Sequence, residues 1–205
     1  MIDKICLFLT NKIRQDDPDI DDERAEVINY GLQIIVGEVP KTFIMLAVAY
    51  ILGVFKLSLL TFLVLIPYRG ASGGFHLHTH IGCIVSTCLM YSGVALLSKY
   101  VVLTQMAKYV FILLTWIFGM IMIKLYAPAD TEDVPILESK VRKKKQFASY
   151  FALTVGLVVA FFIQDSTISN ILIFGNLVQT LTITKLAYRL TNNKYGYEVY
   201  ENVSI

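Results

Sequence analysis

The chain has 205 residues, of which 56% are apolar and only 17% are charged, and its formal net charge is +2. Its mean hydropathy is +0.61. Soluble domains carry about a quarter charged residues, so the composition argues against a soluble globular fold. The abundance of Phe, Tyr, Leu, Ile and Val argues against disorder, and three cysteines, an odd number, argue against a disulfide framework. The length suits about five or six spans of a lipid bilayer.

The N-terminal region contains two amphipathic segments. In Met1–Ile13, apolar residues recur at helical spacing, which predicts a helix lying in the membrane interface; a frayed terminus is the alternative. Arg14–Arg24 is acidic and contains Pro18, so we predict a solvated turn there. Glu26–Val39 is the second amphipathic segment. We expect Pro40 to end it, because proline lacks the N–H that a helix interior needs.

The region Thr42–Tyr68 is apolar but is interrupted by Lys56. As a single helix it would be about 40 Å long at 1.5 Å per residue, which is too long to cross a bilayer without tilt. We therefore predict two short helices with a turn near Gly53–Lys56.

Four further runs carry no charged residue and contain 15 to 19 residues each: Ile81–Ser98, Tyr109–Ile123, Phe147–Gln164 and Ser166–Thr184. A helix needs roughly 20 apolar residues to cross the hydrocarbon core, and lysines at the ends of the shortest run can snorkel to the interfaces. The predicted fold class is an all-α polytopic integral membrane protein. It is a single membrane-embedded domain of about six transmembrane helices with an N-terminal interfacial amphipathic helix.

Orientation follows from lysine and arginine, which are enriched in cytoplasmic loops. Six of them lie in Lys124–Gln146 and three follow Thr184, so we place both regions in the cytoplasm. The turn at Asp165 is then outside, and Arg69–His80 faces the cytoplasm. The chain divides into an interfacial region, a half with a His/Cys cluster, a basic cytoplasmic loop, a helical hairpin and a cytoplasmic tail, with bounds 1–40, 41–126, 127–146, 147–184 and 185–205.

The segment Arg69–Cys83 concentrates the residues that can carry chemistry. All three histidines of the chain lie within five positions, and two of the three cysteines follow closely: His76, His78, His80, Cys83 and Cys88. Four glycines make the backbone permissive. Arg69 adds a permanent charge at the predicted membrane boundary, where charged residues are costly and tend to be functional. Chance clustering in a polar loop is the alternative.

The first chemistry for this segment is a Cys/His pair, in which an imidazole activates a thiol that attacks a carbonyl group. His76 and Cys83 are seven residues apart, which is about 10.5 Å along a continuous helix, so they can meet only if His76 lies off the helix. The two glycines before His76 allow such a fold-back. His80 is the rival partner, because residues three apart are neighbours on a helix.

Two other interpretations compete with the pair. His76, His80 and Cys83 have the spacing of a zinc site on one helical face, although the segment offers no carboxylate base and its glycines disfavour a helix at His76. A small transporter or scaffold is the main alternative to an enzyme, with Thr104, Gln105, Asn176 and Gln179 lining a path. Such residues more often hydrogen-bond between helices, and the spans carry no carboxylate for proton coupling.

The same residues resemble the signature of a known family. The pattern Arg69-x-x-x-Gly73-Gly74-Phe75-His76-x-x-Thr79-x-x-x-Cys83-x-x-Ser86 looks like that of the AgrB accessory gene regulator proteins. These are membrane cysteine endopeptidases that process quorum-sensing propeptides in Gram-positive bacteria. Other stretches also resemble the family: Glu26–Gln33, Ala127–Thr131, Pro135-Ile136 and Arg142–Lys145. The departures are His78, His80 and Val134, where the family has other residue types.

The resemblance implies roles for the residues of the signature. Cys83 is the nucleophile and His76 its base, and the supporting residues are Arg69, Gly73, Gly74 and Ser86. Arg69 is expected to hold a substrate carboxylate or the loop itself, and Gly74 to allow the turn. The thiolate would attack a peptide bond and form a thioester through an oxyanion held by backbone N–H groups. The family's product is a cyclic thiolactone or lactone, and no cofactor is implied.

The resemblance also implies partners and a location. The substrate is expected to be a small AgrD-like propeptide with an acidic C-terminal tail, and the location is the bacterial cytoplasmic membrane, with the active site on the cytoplasmic side. We expect the basic run to bind that tail: Lys140, Arg142, Lys143, Lys144 and Lys145. Attraction to anionic lipid is the alternative role of this run. No nucleic-acid partner is expected, and a homodimer is left open.

Overall fold

The computed structural model describes residues 2–17, 20–77, 79–132 and 135–199. Within these ranges every regular element is a helix, which confirms the all-α fold class. In chain order the helices are α1 (Ile2–Asp16), α2 (Asp22–Ile51), α3 (Phe55–Ser72), α4 (His80–Cys88), α5 (Val94–Tyr100), α6 (Gln105–Tyr126), α7 (Ser139–Phe162), α8 (Ser166–Thr182), α9 (Lys185–Leu190) and α10 (Gly196–Val199). A π-helical turn, Leu89–Gly93, joins α4 to α5.

Among the described residues, three helices are long and apolar enough to cross a membrane: His80–Tyr100, Gln105–Tyr126 and Ser139–Phe162. They coincide with the first three uncharged runs of the sequence, and α8 coincides with the fourth. These helices support a membrane protein. The number of six spans and the interfacial position of α1 remain predictions.

Helix α8 is the centre of the bundle, because it contacts α3, α5, α6 and α7. Most of its residues are buried, including the polar Asn176 and Gln179. Asn176 Nδ2 donates to the carbonyl oxygen of Leu172 at 2.7 Å, and Gln179 Nε2 donates to Ser72 Oγ at 3.0 Å. Two of the side chains proposed for a transport path are therefore engaged in hydrogen bonds inside the bundle.

From α3 onward the chain runs back and forth between two ends of the bundle. At one end, Lys108 Nζ donates to the carbonyl oxygen of Ile163 at 2.7 Å. At the same end, Asn170 Nδ2 donates to the carbonyl oxygen of Val101 at 2.7 Å. At the opposite end, a backbone bridge joins the α3–α4 connection to the α6–α7 loop. The second end contains the His/Cys cluster.

The prediction that Pro40 ends a helix is wrong, because α2 continues through it. Proline inside a helix removes one hydrogen bond and costs about 3 kcal/mol, so packing beyond it must offset that loss. Met45 and Ala49 are fully buried and pack against α3, the π-helical turn and α5. The helix breaks instead after Ile51, at a turn where Gly53 has a φ of +68°. This turn lies where the sequence predicted it.

Helix α1 packs against α2, so the N-terminal segment is an ordered helix with a defined partner. Cys6 is fully buried, whereas Leu7 and Phe8 are exposed. The solvated turn predicted over Arg14–Arg24 is shorter than expected, since α1 and α2 both extend into it. Pro18 lies outside the described residues.

The predicted basic loop 127–146 is helical in its second half, because α7 begins at Ser139. Lysine, arginine and glutamine are good helix formers, so the run Lys140–Lys145 extends α7 beyond its apolar part. The exposed side chains of this run project from a helix, which fixes their spacing.

Arg142 is not available to a ligand, contrary to the prediction that it binds substrate. Its side chain is only 4% exposed and pairs with the 2% exposed Asp130 at 2.8 Å. The guanidinium also donates to the carbonyl oxygens of Pro128 at 3.3 Å and Ile136 at 3.4 Å. Arg142 therefore ties α7 to the loop that precedes it. Composition could not separate it from the lysines around it, because its carboxylate partner is twelve residues away.

We expect Arg142→Met to lower the free energy of unfolding by about 3–5 kcal/mol, because removing one member of a buried pair leaves the Asp130 charge without its partner. Lys144→Met, at an exposed position of the same helix, is the matched control and should change it by no more than about 0.5 kcal/mol. Reversible denaturation in detergent micelles, followed by circular dichroism, measures both. Equal stability of the two variants would contradict the structural role of Arg142.

Candidate functional site

Cys83 lies in the first turn of α4. Thr79 caps this helix: its side chain accepts from the N–H of Gly82 at 3.1 Å, and its carbonyl accepts from the N–H of Cys83 at 2.9 Å. The first turn of a helix carries a partial positive charge, and helix N-termini are places where thiols act as nucleophiles. The half-buried sulfur of Cys83 is thus set in a position that favours a negative charge.

Helix α2 supplies a residue that the sequence analysis missed. α2 packs against α4, and the ammonium Nζ of Lys41 donates to Cys83 Sγ at 3.4 Å. Lys41 is half-buried. A signal for it was present, since a lysine that opens the apolar part of a predicted span is expensive and tends to be functional.

The loop that carries His76 is held by backbone hydrogen bonds to another loop. The N–H of Gly74 donates to the carbonyl of Ala129 at 2.9 Å, and the N–H of Ala129 donates to the carbonyl of Ser72 at 2.8 Å. The N–H of Phe75 donates to the carbonyl of Thr182, at the end of α8, at 3.3 Å. His76 therefore lies in the loop between α3 and α4 and is not part of a helix continuous with Cys83. A Cys83/His76 pair is possible only in such an arrangement.

Both glycines of the signature are needed for this turn. Gly73 has a φ of +71° and Gly74 a φ of +140°, values that side chains other than glycine rarely adopt. A Cβ at Gly73 would contact the carbonyl of Ala129, and one at Gly74 would contact the guanidinium of Arg69. The backbone and the close approach thus both require glycine.

Arg69 holds the loop. Its Nη1 donates to Thr182 Oγ1 at 3.0 Å and its Nη2 donates to the carbonyl of Phe75 at 3.0 Å. Of the two roles expected for Arg69, the contacts support the second, because the guanidinium ties the end of α3 to the loop and to α8.

Two residues far along the chain complete the support of the loop. Gln179 Nε2 donates to the carbonyl of Gly73 at 2.8 Å, and Asn193 Nδ2 donates to the carbonyl of His76 at 2.7 Å. Asn193 was not predicted, because nothing in its local sequence indicates a partner 117 residues away.

Tyrosines from the C-terminal segment lie beneath the α6–α7 loop. Tyr188 and Tyr195 stack with ring centroids 3.9 Å apart, and Tyr126 stacks on Tyr195 at 5.6 Å. The Tyr188 hydroxyl donates to the carbonyl of Ala129 at 2.7 Å. Burial raises the pKa of both Tyr188 and Tyr195 well above that of a free phenol, so the hydroxyls remain protonated donors at neutral pH.

His76 and Cys83 line one cavity of about 590 Å³ at this end of the bundle. Lys41, Arg69 and Lys145 contribute positive charge to its lining. Asp130 also lines it, but its carboxylate is paired with Arg142. A thiol, an imidazole and three basic side chains thus line one cavity.

The structure separates the other candidates. Ser86, Gly73 and Gly74 line the cavity. His76 and His80 are both exposed, but His76 lines the cavity and His80, at the start of α4, does not. Of the basic run, Lys145 lines the cavity, and the exposed members on α7 are Lys140, Lys143 and Lys144.

The helical zinc arrangement is wrong, because His76 precedes α4 and does not share a helical face with Cys83. Within the described residues, no three His, Cys, Asp or Glu side chains form a group that could hold a metal ion. His78 lies outside the described residues.

The structure defines a helical protein with membrane-length helices and a His/Cys cavity at one end of the bundle. The chain belongs to the Accessory gene regulator B family, whose sequence model matches residues 6–183. A putative AgrB-like protein of Listeria innocua is 27% identical over 183 residues, which cover 88% of each chain. Accessory gene regulator protein B of Staphylococcus epidermidis is 23% identical over 169 residues, 82% of this chain and 84% of the relative.

No solved structure matches the chain. Family membership confirms the resemblance and implies a role in accessory gene regulator quorum sensing. Together with the three membrane-length helices, it supports a membrane location.

Proposed function

We propose that the protein is a membrane cysteine endopeptidase that cleaves a small quorum-sensing propeptide and promotes its cyclisation. The observation that carries the proposal is that His76 and Cys83 line the same cavity, with Cys83 in the first turn of α4. A thiol at a helix N-terminus and an imidazole that line one cavity are the two groups that thiol-dependent acyl transfer uses.

In the first step, the Cys83 thiol gives its proton to the His76 imidazole and the sulfur attacks the carbonyl carbon of the scissile peptide bond. The electron pair of the C=O bond moves to oxygen. The N–H groups of Gly82 and Cys83 bond to Thr79, so the first-turn N–H groups of α4 that can stabilise this oxyanion are those of His80 and Ile81. When the intermediate collapses, the C–N bond breaks and the imidazolium protonates the leaving amine. The N-terminal part of the propeptide stays on Cys83 as a thioester.

In the second step, a thiol or hydroxyl of the bound propeptide gives its proton to His76 and attacks the thioester. Cys83 leaves, and the peptide closes into a thiolactone or lactone. Exchange of one thioester for another changes the free energy little, so the reaction needs no external energy source. Water would hydrolyse the intermediate instead, so cyclisation requires that the bound propeptide exclude water from the cavity.

We expect Cys83→Ala and His76→Ala each to reduce propeptide cleavage by more than about 10³-fold, because they remove the nucleophile and its base. Cys88→Ala and His80→Ala are the controls and should retain most activity, since they remove the same residue types at positions outside the cavity. Release of the C-terminal tail in membranes, at matched protein levels, measures all four.

Wild-type activity in Cys83→Ala would overturn the proposal. An inactive His80→Ala beside an active His76→Ala would show instead that the helical neighbour of Cys83 is the base.

The basic residues of α7 are the proposed docking site for the acidic tail of the substrate. Lys145 lines the cavity. The neighbouring lysines in the first turns of α7 are exposed: Lys140, Lys143 and Lys144. A tail that lies along this surface would leave the preceding peptide bond close to the cavity. Arg142 takes no part, because it is buried against Asp130.

Replacing Lys143, Lys144 and Lys145 together by Gln should raise the apparent KM for the full-length propeptide and remove its salt dependence, since exposed charges are screened over about 8 Å at physiological ionic strength. Kinetics in detergent micelles measure the effect. A propeptide with a neutral tail is the control and should not distinguish the variant from the wild type. If both substrates respond equally, the run serves membrane placement and the docking site is wrong.

The end of the bundle that contains the cavity faces the cytoplasm in this proposal. It contains the basic start of α7, and cytoplasmic loops are the ones rich in lysine and arginine. A membrane-impermeant thiol reagent applied to intact cells should label a cysteine introduced at Ser166, at the opposite end, and should not label one introduced at Glu138. Both positions are exposed. The reverse labelling pattern would invert the topology and place cleavage outside the cell.

A further inference from the structure

We infer that Lys41 is a catalytic residue of this site, whose ammonium group holds the Cys83 sulfur as a thiolate. The inference rests on the proposed function in taking Cys83 as the nucleophile. The observation that carries it is the hydrogen bond from Lys41 Nζ to Cys83 Sγ at 3.4 Å, between two residues 42 positions apart on different helices.

The position of Lys41 on α2 is unusual. It follows Pro40 and precedes the apolar stretch in which Met45 and Ala49 are fully buried. A lysine at the edge of such a stretch is costly unless its charge has a partner or reaches water. Here the side chain is half-buried and lines the cavity beside Cys83.

The charged and titratable groups that line the cavity with Cys83 come from four elements and two loops. They are Lys41, Arg69, His76, Tyr91, Asp130 and Lys145. Arg69 is bonded to Thr182 and Phe75, and Asp130 is paired with Arg142. Lys41 Nζ donates a hydrogen bond to the Cys83 sulfur.

Lys41 and His76 have different roles in the reaction. His76 accepts the thiol proton and returns it to the leaving amine. Lys41 keeps its own protons, because its role is to donate a hydrogen bond to the negatively charged sulfur. An ammonium group beside a cysteine stabilises the thiolate relative to the thiol.

The thiolate forms twice in the reaction, so Lys41 acts on both steps. Cys83 is the nucleophile in cleavage and the leaving group when the ring closes, and thiol exchange is faster when the leaving sulfur is stabilised as an anion. Loss of the ammonium should therefore lower kcat in both steps. It should leave KM near the wild-type value, because the lysine binds the enzyme's own sulfur.

Alkylation of Cys83 tests the inference without any substrate. The full chain in lipid nanodiscs is treated with iodoacetamide at neutral pH, and mass spectrometry of the Cys83 peptide gives the rate. For Lys41→Gln we expect a rate about tenfold lower, because the thiolate loses an opposite charge. Lys41→Arg retains the charge and should recover most of the rate. Lys56→Gln, at an exposed lysine on α3, should match the wild type.

Cys88, on the same helix, reports whether a variant has unfolded, because a disrupted α4 would make this half-buried thiol more reactive. A slower Cys83 with an unchanged Cys88 supports the inference. Equal rates in Lys41→Gln and the wild type overturn it, and so do equal losses in Lys41→Gln and Lys41→Arg. If Lys41→Gln cannot be recovered from membranes, comparison of Lys41→Met with Lys41→Arg decides by the same criterion. Because no propeptide is used, these outcomes are independent of whether cleavage itself is observed.

Discussion

The pairing of the Gly73-Gly74 turn with Ala129 is the contact on which the rest of the site depends. It fixes the exit of the chain from α3, so His76 can turn away from the helical direction and meet the cavity that contains Cys83. Other side-chain hydrogen bonds hold one or the other of the two paired segments. Arg69 and Gln179 hold the glycine turn, and Tyr188 holds Ala129 from below.

The site thus obtains a defined geometry from a segment that has no regular structure. Glycines alone would leave the backbone of such a loop free, because they gain the most conformational entropy on unfolding. Here the free conformations are removed by bonds to three other parts of the chain: the α6–α7 loop, the end of α8 and the C-terminal segment. A permissive backbone and many external constraints are both needed to place one imidazole.

The sequence predicted the features that depend on local pattern. The four uncharged runs predicted helices because charged residues mark their ends. The turn at Gly53 was predicted from the glycine and Lys56, which interrupt the apolar region. The fold-back of His76 follows from helix geometry, since a residue seven positions from Cys83 is too far along a helix to touch it. The features that it missed depend on partners distant in the chain. The continuation of α2 through Pro40 depends on packing by Met45 and Ala49, and the burial of Arg142 depends on Asp130.

The contact between Asn193 and His76 has a consequence for the order in which the site is assembled. The ribosome synthesises Asn193 117 positions after His76, and Tyr188 and Tyr195 are synthesised at about the same time. During translation, α3 and α4 are complete while the histidine loop still lacks its C-terminal support. The thiol and the imidazole therefore reach their final arrangement only after the central helix α8 has been made and the segment behind it has folded back. A nascent chain therefore cannot complete the loop around His76 before its helix bundle is complete.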